Sequence, residues 1–427
     1  MTLSWVSIVR LGFVQMALGA IVVLTTSTLN RLMVVELALP AVLPGLLVAL
    51  HYGIQITRPS WGFLSDKGGN RTHFIIGGMA VLGAGAWLAA AAIPIFEGNF
   101  AAGLTLSIFA YTLIGLGVGA SGTSLLALLA TATAPRRRAA AATITWLMMV
   151  FGIAVTATVV GSFLDPYTPA LLLRIVGIVV LSAVAVTTLA IWRVERGVEA
   201  RPEPETASFR EGFAQVWRER RARNFTIFVF VSMTAYFMQE LILEPYSGLV
   251  FGFTPGQSTS LSGAQNGGVF LGMLTVGIAA TGFRFGSLRN WVIAGCLGSA
   301  TALGVIATAG AMQWDILVPA VMALGVFNGV FAVAAIGSMM ALAGEGHGRR
   351  EGTRMGLWGA AQAIAAGFGG LLGAAAVDAM RTVMTDSTAF GTVFIAEAAL
   401  FMVAAYMAVR ILDAGRTPTA AHMVPGE

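Results

Sequence analysis

At 427 residues the chain is long enough for two or three soluble domains, yet only 11% of it is charged and 57% is apolar, with a mean hydropathy of +0.82. A soluble domain is roughly a quarter charged, so a soluble protein is excluded and a polytopic membrane protein remains. The net charge of +5 is then a matter of which loops face which side, and calls for no nucleic-acid partner.

Apolar stretches of roughly the 20 residues that a bilayer crossing needs lie near 11–29, 37–57, 74–96, 102–130, 139–164 and 172–192. Six more lie near 224–243, 261–281, 291–312, 316–343, 356–377 and 388–410. The expected fold is therefore all-α: twelve transmembrane helices in two six-helix halves, 1–192 and 224–412, joined by a polar linker at 193–223 and followed by a tail at 413–427. The first apolar run has no small-residue cleavage site and is followed by eleven others, so it reads as a span and not as a cleavable signal. The single cysteine, Cys296, falls inside a span, which leaves no disulfide and no cysteine metal site to expect.

The first span, "LGFVQMALGAIVVLTTSTL", offers only Gln15 and hydroxyls. Polar residues within spans are the default functional candidates. The second span carries Glu36 near its outer end and His51 about two turns from its cytoplasmic end, the only one of the four histidines inside a span. A neutral imidazole is a good ligand for a metal, including a pigment magnesium; a neighbouring hydroxyl or carbonyl would satisfy it equally. Between the second and third spans comes "WGFLSDKGGNRTHF" (61–74), in which Gly62, Leu64, Asp66, Gly69 and Arg71 resemble the loop signature of the major facilitator superfamily. Glycines suit a tight reversal, Asp66 can cap a helix end, and Arg71 can pair with acids or lipid phosphate. Gly115 and Gly119 in the fourth span, and Gly325 and Gly329 in the tenth, have the small-xxx-small spacing of close helix packing.

The linker begins proline- and glutamate-rich. It then shows a capping-box pattern at Ser208 and Glu211, with Phe209, Phe213, Val216 and Trp217 on one face and arginines opposite, as expected of a helix lying on the membrane surface. In the seventh span Glu240 and Glu244 are four apart, so a regular helix would set them on one face, as a proton-coupling pair, a ligand site or a structural pair at the outer rim. Asn328, Gln362 and Glu397 read as structural. A register near half the chain length relates Arg138 and Trp146 to Arg350 and Trp358, Pro40 to Pro255, Gly115 to Gly325, and places Asn30 against Glu244, as two parallel six-helix repeats would. With the N-terminus inside, 22 of the 25 basic residues fall on cytoplasmic segments, leaving Arg31, Arg174 and Arg381. The positive-inside rule then places both termini in the cytoplasm.

Three stretches carry a closer resemblance: "TLNRLMVVELALPA" (28–41), "LHYGIQITRPSWGFLSDKGGNRT" (50–72) and "LEPYSGLVFGFTPGQSTSL" (243–261) resemble the PucC/LhaA bacteriochlorophyll-delivery family, a branch of the major facilitator superfamily in phototrophic bacteria. Asn30, Arg31, Glu36, Glu244, Pro245 and Tyr246 carry this signature. The resemblance implies a non-enzymatic assembly factor of the bacterial inner membrane. Its cargo would be bacteriochlorophyll or a late precursor, and its partners light-harvesting antenna polypeptides, pigment-synthesis enzymes and membrane lipid. No nucleotide motif is present. His51, Glu240 and Glu244 are the candidate pigment ligands, with His51 the candidate axial ligand of the magnesium. A proton-coupled exporter of a small molecule and a pigment-free assembly scaffold are the rival readings.

Overall fold

The computed structural model describes residues 3–67, 71–134, 137–195, 217–283, 285–344 and 351–413. Among them the helices are α1 (Trp5–Glu36), α2 (Val42–Thr57), α3 (Arg58–Lys67), α4 (Arg71–Gly98), α5 (Phe100–Ala132), α6 (Arg138–Phe163) and α7 (Pro169–Ile191). There follow α8 (Arg220–Leu241), α9 (Leu243–Phe251), α10 (Pro255–Gly277, continued by Ile278–Gly282), α11 (Leu288–Met312), α12 (Leu317–Gly344), α13 (Glu351–Arg381) and α14 (Asp386–Asp413). Nine of these are long and apolar enough to cross a membrane, and α8 with α9 makes a tenth if the bent pair is one span. The remaining two expected spans fall on α2, which is short, and on α10, whose first turns carry Gln257, Ser258, Thr259, Ser260 and Ser262.

Local chemistry sets the helix starts. Ser4, Asn99, Thr168, Thr254 and Ser287 each accept a first-turn N–H with the side chain, and Thr254 with Gln257 forms a full capping box ahead of Pro255. Two π-type turns, Leu24–Thr28 and Leu32–Glu36, widen the end of α1. There the Thr25 and Thr26 hydroxyls return to the Val22 carbonyl at 2.8 and 3.1 Å, competing with the backbone ladder. α8 and α9 meet at a 41° bend. Pro245 explains it: its ring lacks an N–H and crowds the carbonyl four residues back, that of Leu241.

Buried apolar side chains form two large clusters, one from residues 3–194 with Leu241 and one from 222–411. α6 meets α10 across them at Gly161, Gly256 and Gly263, and α2 meets α13 at Gly45 and Gly367. The spaced glycines expected to pack do so: Gly115 lies against His51 and Ile54, and Gly325 and Gly329 lie against the Gln265 and Val269 carbonyls. Connections at 37–41, 99, 164–168, 252–254, 313–316 and 382–385 are short, and this end of the bundle is called the short-loop end below.

Several boundaries differ from expectation. The first span runs on to Glu36, so Glu36 ends the first helix and does not begin the second, and Arg31 is buried in that helix instead of standing in a loop. The seventh continues through Phe251 and the eighth starts at Pro255, because the glutamate and proline of "LEPY" sit in the first turn of a new helical segment, not at a membrane exit. The turn expected at 61–74 is largely helix: Gly62, Leu64 and Asp66 belong to α3, and Arg71 opens α4. Gly69 and residues 208–216 of the interfacial helix read at 208–217 lie outside the described residues, while Trp217 is described and exposed.

Candidate functional site

The break between α8 and α9 separates two environments. On one side Glu240, half-buried, lies within electrostatic reach of the Tyr52 and Tyr236 hydroxyls. Tyr52 comes from α2 and Tyr236 from the preceding turn of α8. Phe237 packs on both, at ring distances of 6.3 and 5.1 Å. Behind Tyr52, its ring 4.5 Å away, is His51, 1% exposed. A relay fixes this imidazole: Arg58 donates to Gln55 Oε1, and Gln55 Nε2 lies 2.9 Å from His51 Nε2. Because that amide nitrogen can only donate, His51 Nε2 accepts and Nδ1 carries the proton. The lone pair a metal would need is thus engaged with Gln55.

On the other side is a polar seam that ties the two clusters at the short-loop end. Arg31, 2% exposed, ion-pairs with Glu36, donates from Nη2 to the Phe253 carbonyl at 2.7 Å and from Nε to Ser258 Oγ at 3.3 Å. Asn30 Nδ2 donates to the Leu241 carbonyl at 2.7 Å, the acceptor that Pro245 frees. Glu244, 1% exposed, accepts from Ser262, whose hydroxyl also reaches Ser27 at 3.4 Å. Thr28 and Thr259 meet at 3.2 Å. Carboxylates also cap two helix N-termini across the clusters: Asp378 takes the Ala41 and Val42 N–H groups, and Asp165 takes the Gly256 N–H and the Thr254 hydroxyl. Tyr246 donates to the Ile306 carbonyl at 2.7 Å and is ringed by Phe251, Phe390 and Phe394.

Glu240 and Glu244 therefore do not share a face. The tighter turn Gln239–Leu241 and the bend that follows rotate Glu244 toward α10 while Glu240 stays toward α2. Of the three candidate ligands, the structure brings His51 and Glu240 to one place and puts Glu244 elsewhere. Within the loop motif, Arg71 is buried with Nη1 2.5 Å from Thr131 Oγ1, and its N–H and that of Thr72 are capped by Glu195. Sequence reasoning passed over Tyr52, Gln55, Arg58, Tyr236 and Phe237, although Tyr236 stands one turn before Glu240 and Gln55 one turn after His51. It also passed over the α10 hydroxyls, whose signal is the i, i+4 pair Ser258 and Ser262. Elsewhere, Asn328 accepts from Ser299 at 2.8 Å, and Glu397 is fully buried in α14. A cavity of about 440 Å³ opens at the short-loop end between α6 and α10, lined by Asp165, Phe253 and Ser260 among others, and none of the Glu240 group lines it.

A helical bundle of this kind, with a broken helix facing its partner half, is the architecture of membrane transporters. The structure superposes on a bacterial homologue of the lysosomal transporter Spinster in an inward-facing, unoccupied conformation, with a TM-score of 0.71, 13% identity, and 95% and 96% of the two chains covered. It matches the peptide transporter POT with a TM-score of 0.69, 17% identity, and 95% and 94% covered. The fold is thus that of the major facilitator superfamily. The sequence profile of the PUCC protein family matches residues 28–415, and the chain belongs to that family. It is 66% identical to the "Bacteriochlorophyll synthase 44.5 kDa chain" of Rhodobacter capsulatus, over 98% of this chain and 99% of that one. To "Protein PucC" of Cereibacter sphaeroides it is 29% identical, over 96% and 89%.

Proposed function

We propose that this protein binds bacteriochlorophyll or a late precursor and hands it to light-harvesting antenna polypeptides in the inner membrane of a phototrophic bacterium. It does so as two six-helix units, 1–192 and 224–412, twelve spans in all. The names of its relatives support the pigment, and membership of the PUCC family supports a role in antenna assembly. The observation that carries the reading is the group Glu240, Tyr52, Tyr236 and Phe237 between α2 and α8: one carboxylate set among aromatic faces, half-buried between the two clusters. Magnesium prefers oxygen ligands, so Glu240 is the ligand we assign, with the aromatic rings against the macrocycle. His51 supports Tyr52 from behind. No bond is made or broken in this reading, and the chain acts as a carrier rather than as a synthase.

The seam at Arg31 closes the short-loop end, so cargo enters and leaves from the opposite end or sideways from lipid. The arginine distribution supports placing the short-loop end in the periplasm and both termini, with the linker, in the cytoplasm. A reporter fused after Glu427 that is active only in the periplasm overturns that orientation.

The direct test is the absorption spectrum of the full chain purified in mild detergent from a phototroph. Bound pigment is expected, and it is lost in Glu240→Gln. Cross-linking to antenna subunits without pigment selects a scaffold instead. Proton-dependent flux of a colourless compound selects an exporter, the reading that the transporter fold favours on its own.

A further inference from the structure

Three side-chain oxygens at the helix break have no hydrogen-bond donor among the described residues: Asn30 Oδ1, Gln239 Oε1 and Glu244 Oε2. Each residue is 1% exposed. Bonds already described join the segments that carry them. Asn30 Nδ2 holds the Leu241 carbonyl, in the turn that separates Gln239 from Glu244. Glu244 Oε1 takes Ser262, which reaches Ser27, one turn before Asn30 on α1. Buried polar atoms are nearly always satisfied, and all three orphans are acceptors, so what fits among them is a donor or a cation.

The charge count points the same way. The charged group facing Glu244 across the packed elements is Arg31 on α1, and Arg31 is already ion-paired with Glu36. α10 presents the hydroxyls of Ser258, Thr259 and Ser262 toward this region, α11 presents the Ile306 carbonyl to the neighbouring Tyr246, and α14 presents the Phe390 and Phe394 rings. Asp165 and Asp378 spend their oxygens on the N-termini of α10 and α2. Two carboxylates against one guanidinium leave room for one more positive charge.

We propose that the break is a site for one positive charge, a proton or an alkali cation, bound among Asn30, Gln239 and Glu244, and that its occupancy keeps the short-loop end closed. Interrupted membrane helices with freed carbonyls are suited to hold such ions, and π-type turns such as those of α1 gather at functional sites. A proton on Glu244 Oε2 supplies a donor for Asn30 or Gln239; an alkali ion takes the oxygens together. Emptied of either, the ionised Glu244 is a buried, uncompensated charge in the seam that joins the clusters. This site is distinct from the Glu240 group and does not depend on pigment.

The test uses full-length protein in vesicles with Cys296→Ala and spin labels at Gly98→Cys and Asp315→Cys, exposed positions at the short-loop end, one beside each cluster. Pulsed-resonance distances are read from about pH 5 to about pH 10 in choline chloride and in sodium chloride. In choline the long-distance population is expected to grow about tenfold per pH unit below its midpoint and to level off above it, the signature of one proton. Sodium abolishes the growth if the occupant is the metal ion and leaves it if the occupant is the proton. Glu244→Gln should stay closed throughout in both salts. A second variant guards against misfolding of the first: Gln239→Leu removes one oxygen and should lower the choline midpoint by about one pH unit. A wild-type distance that responds to neither pH nor sodium, a Glu244→Gln protein that opens like wild type, or a Gln239→Leu protein that responds like wild type overturns the proposal. Loss of pigment in Glu240→Gln bears on the cargo reading alone.

Discussion

Glu240 and Glu244 stand four residues apart, yet one is half-buried beside two phenols facing α2 and the other is sealed among hydroxyls of α1 and α10. An unbroken helix would have stacked them. Pro245 prevents it by freeing the Leu241 carbonyl, and Asn30 of α1 takes up that carbonyl. The same defect therefore does two things: it aims one carboxylate at the space between the halves and builds the other into the joint that holds the halves together. The contrast is between a group kept accessible and a group kept buried, and it makes different predictions for each side.

The largest effect is expected on the buried side. Arg31→Ala removes a donor from Glu36, the Phe253 carbonyl and Ser258; Glu36 is exposed and Ser258 keeps Ser247, so the main loss is the charged hydrogen bond to the Phe253 carbonyl, about 1.5–3 kcal/mol; thermal unfolding of the detergent-purified protein reads it. Arg31→Lys should recover only part, because an ammonium cannot span three acceptors with a planar fork. Next comes the accessible side: Glu240→Gln should lower pigment carried by about tenfold, roughly 1.4 kcal/mol, while leaving the unfolding midpoint near wild type. A melting loss as large as that of Arg31→Ala would erase the contrast. Tyr246→Phe removes the hydrogen bond that anchors α9 to the Ile306 carbonyl and should cost about 1 kcal/mol of stability, with pigment unchanged. His51→Leu should lower pigment less than Glu240→Gln does, since its Nε2 already holds Gln55; full loss of pigment there would move the magnesium ligand from Glu240 to His51.

Much of the architecture was legible because a bilayer forces it. Backbone polar groups in lipid must pair within their own segment, so apolar length alone marks helices, and nine of the twelve expected spans, ten with the bent α8–α9 pair, answer to that test among the described residues. Where length failed, polarity was the reason: α2 is short and followed by a separate helix, and α10 spends its first turns on hydroxyls that face α1 rather than lipid. The expected placing of Arg31 in a loop and of Glu36 in the second span failed for a related reason. A charge in sequence looks like an exit from the membrane unless its partners, here distant in the chain, are known.

The sequence by itself determined that this is a helical membrane protein, which stretches cross, where arginine gathers, and that the "LNR" and "LEPY" stretches belong to the PUCC family. Those are properties of composition, period and local motif, each readable within one segment. The tertiary structure alone decided that Asn30 answers Leu241, that Arg31 answers Phe253 and Ser258, that Gln55 occupies His51, and that Glu240 and Glu244 part company. The physical reason is that a buried polar group takes its meaning from the partner that satisfies it, and three of these four cases turn on a partner on another helix or on a bend that such a partner stabilises.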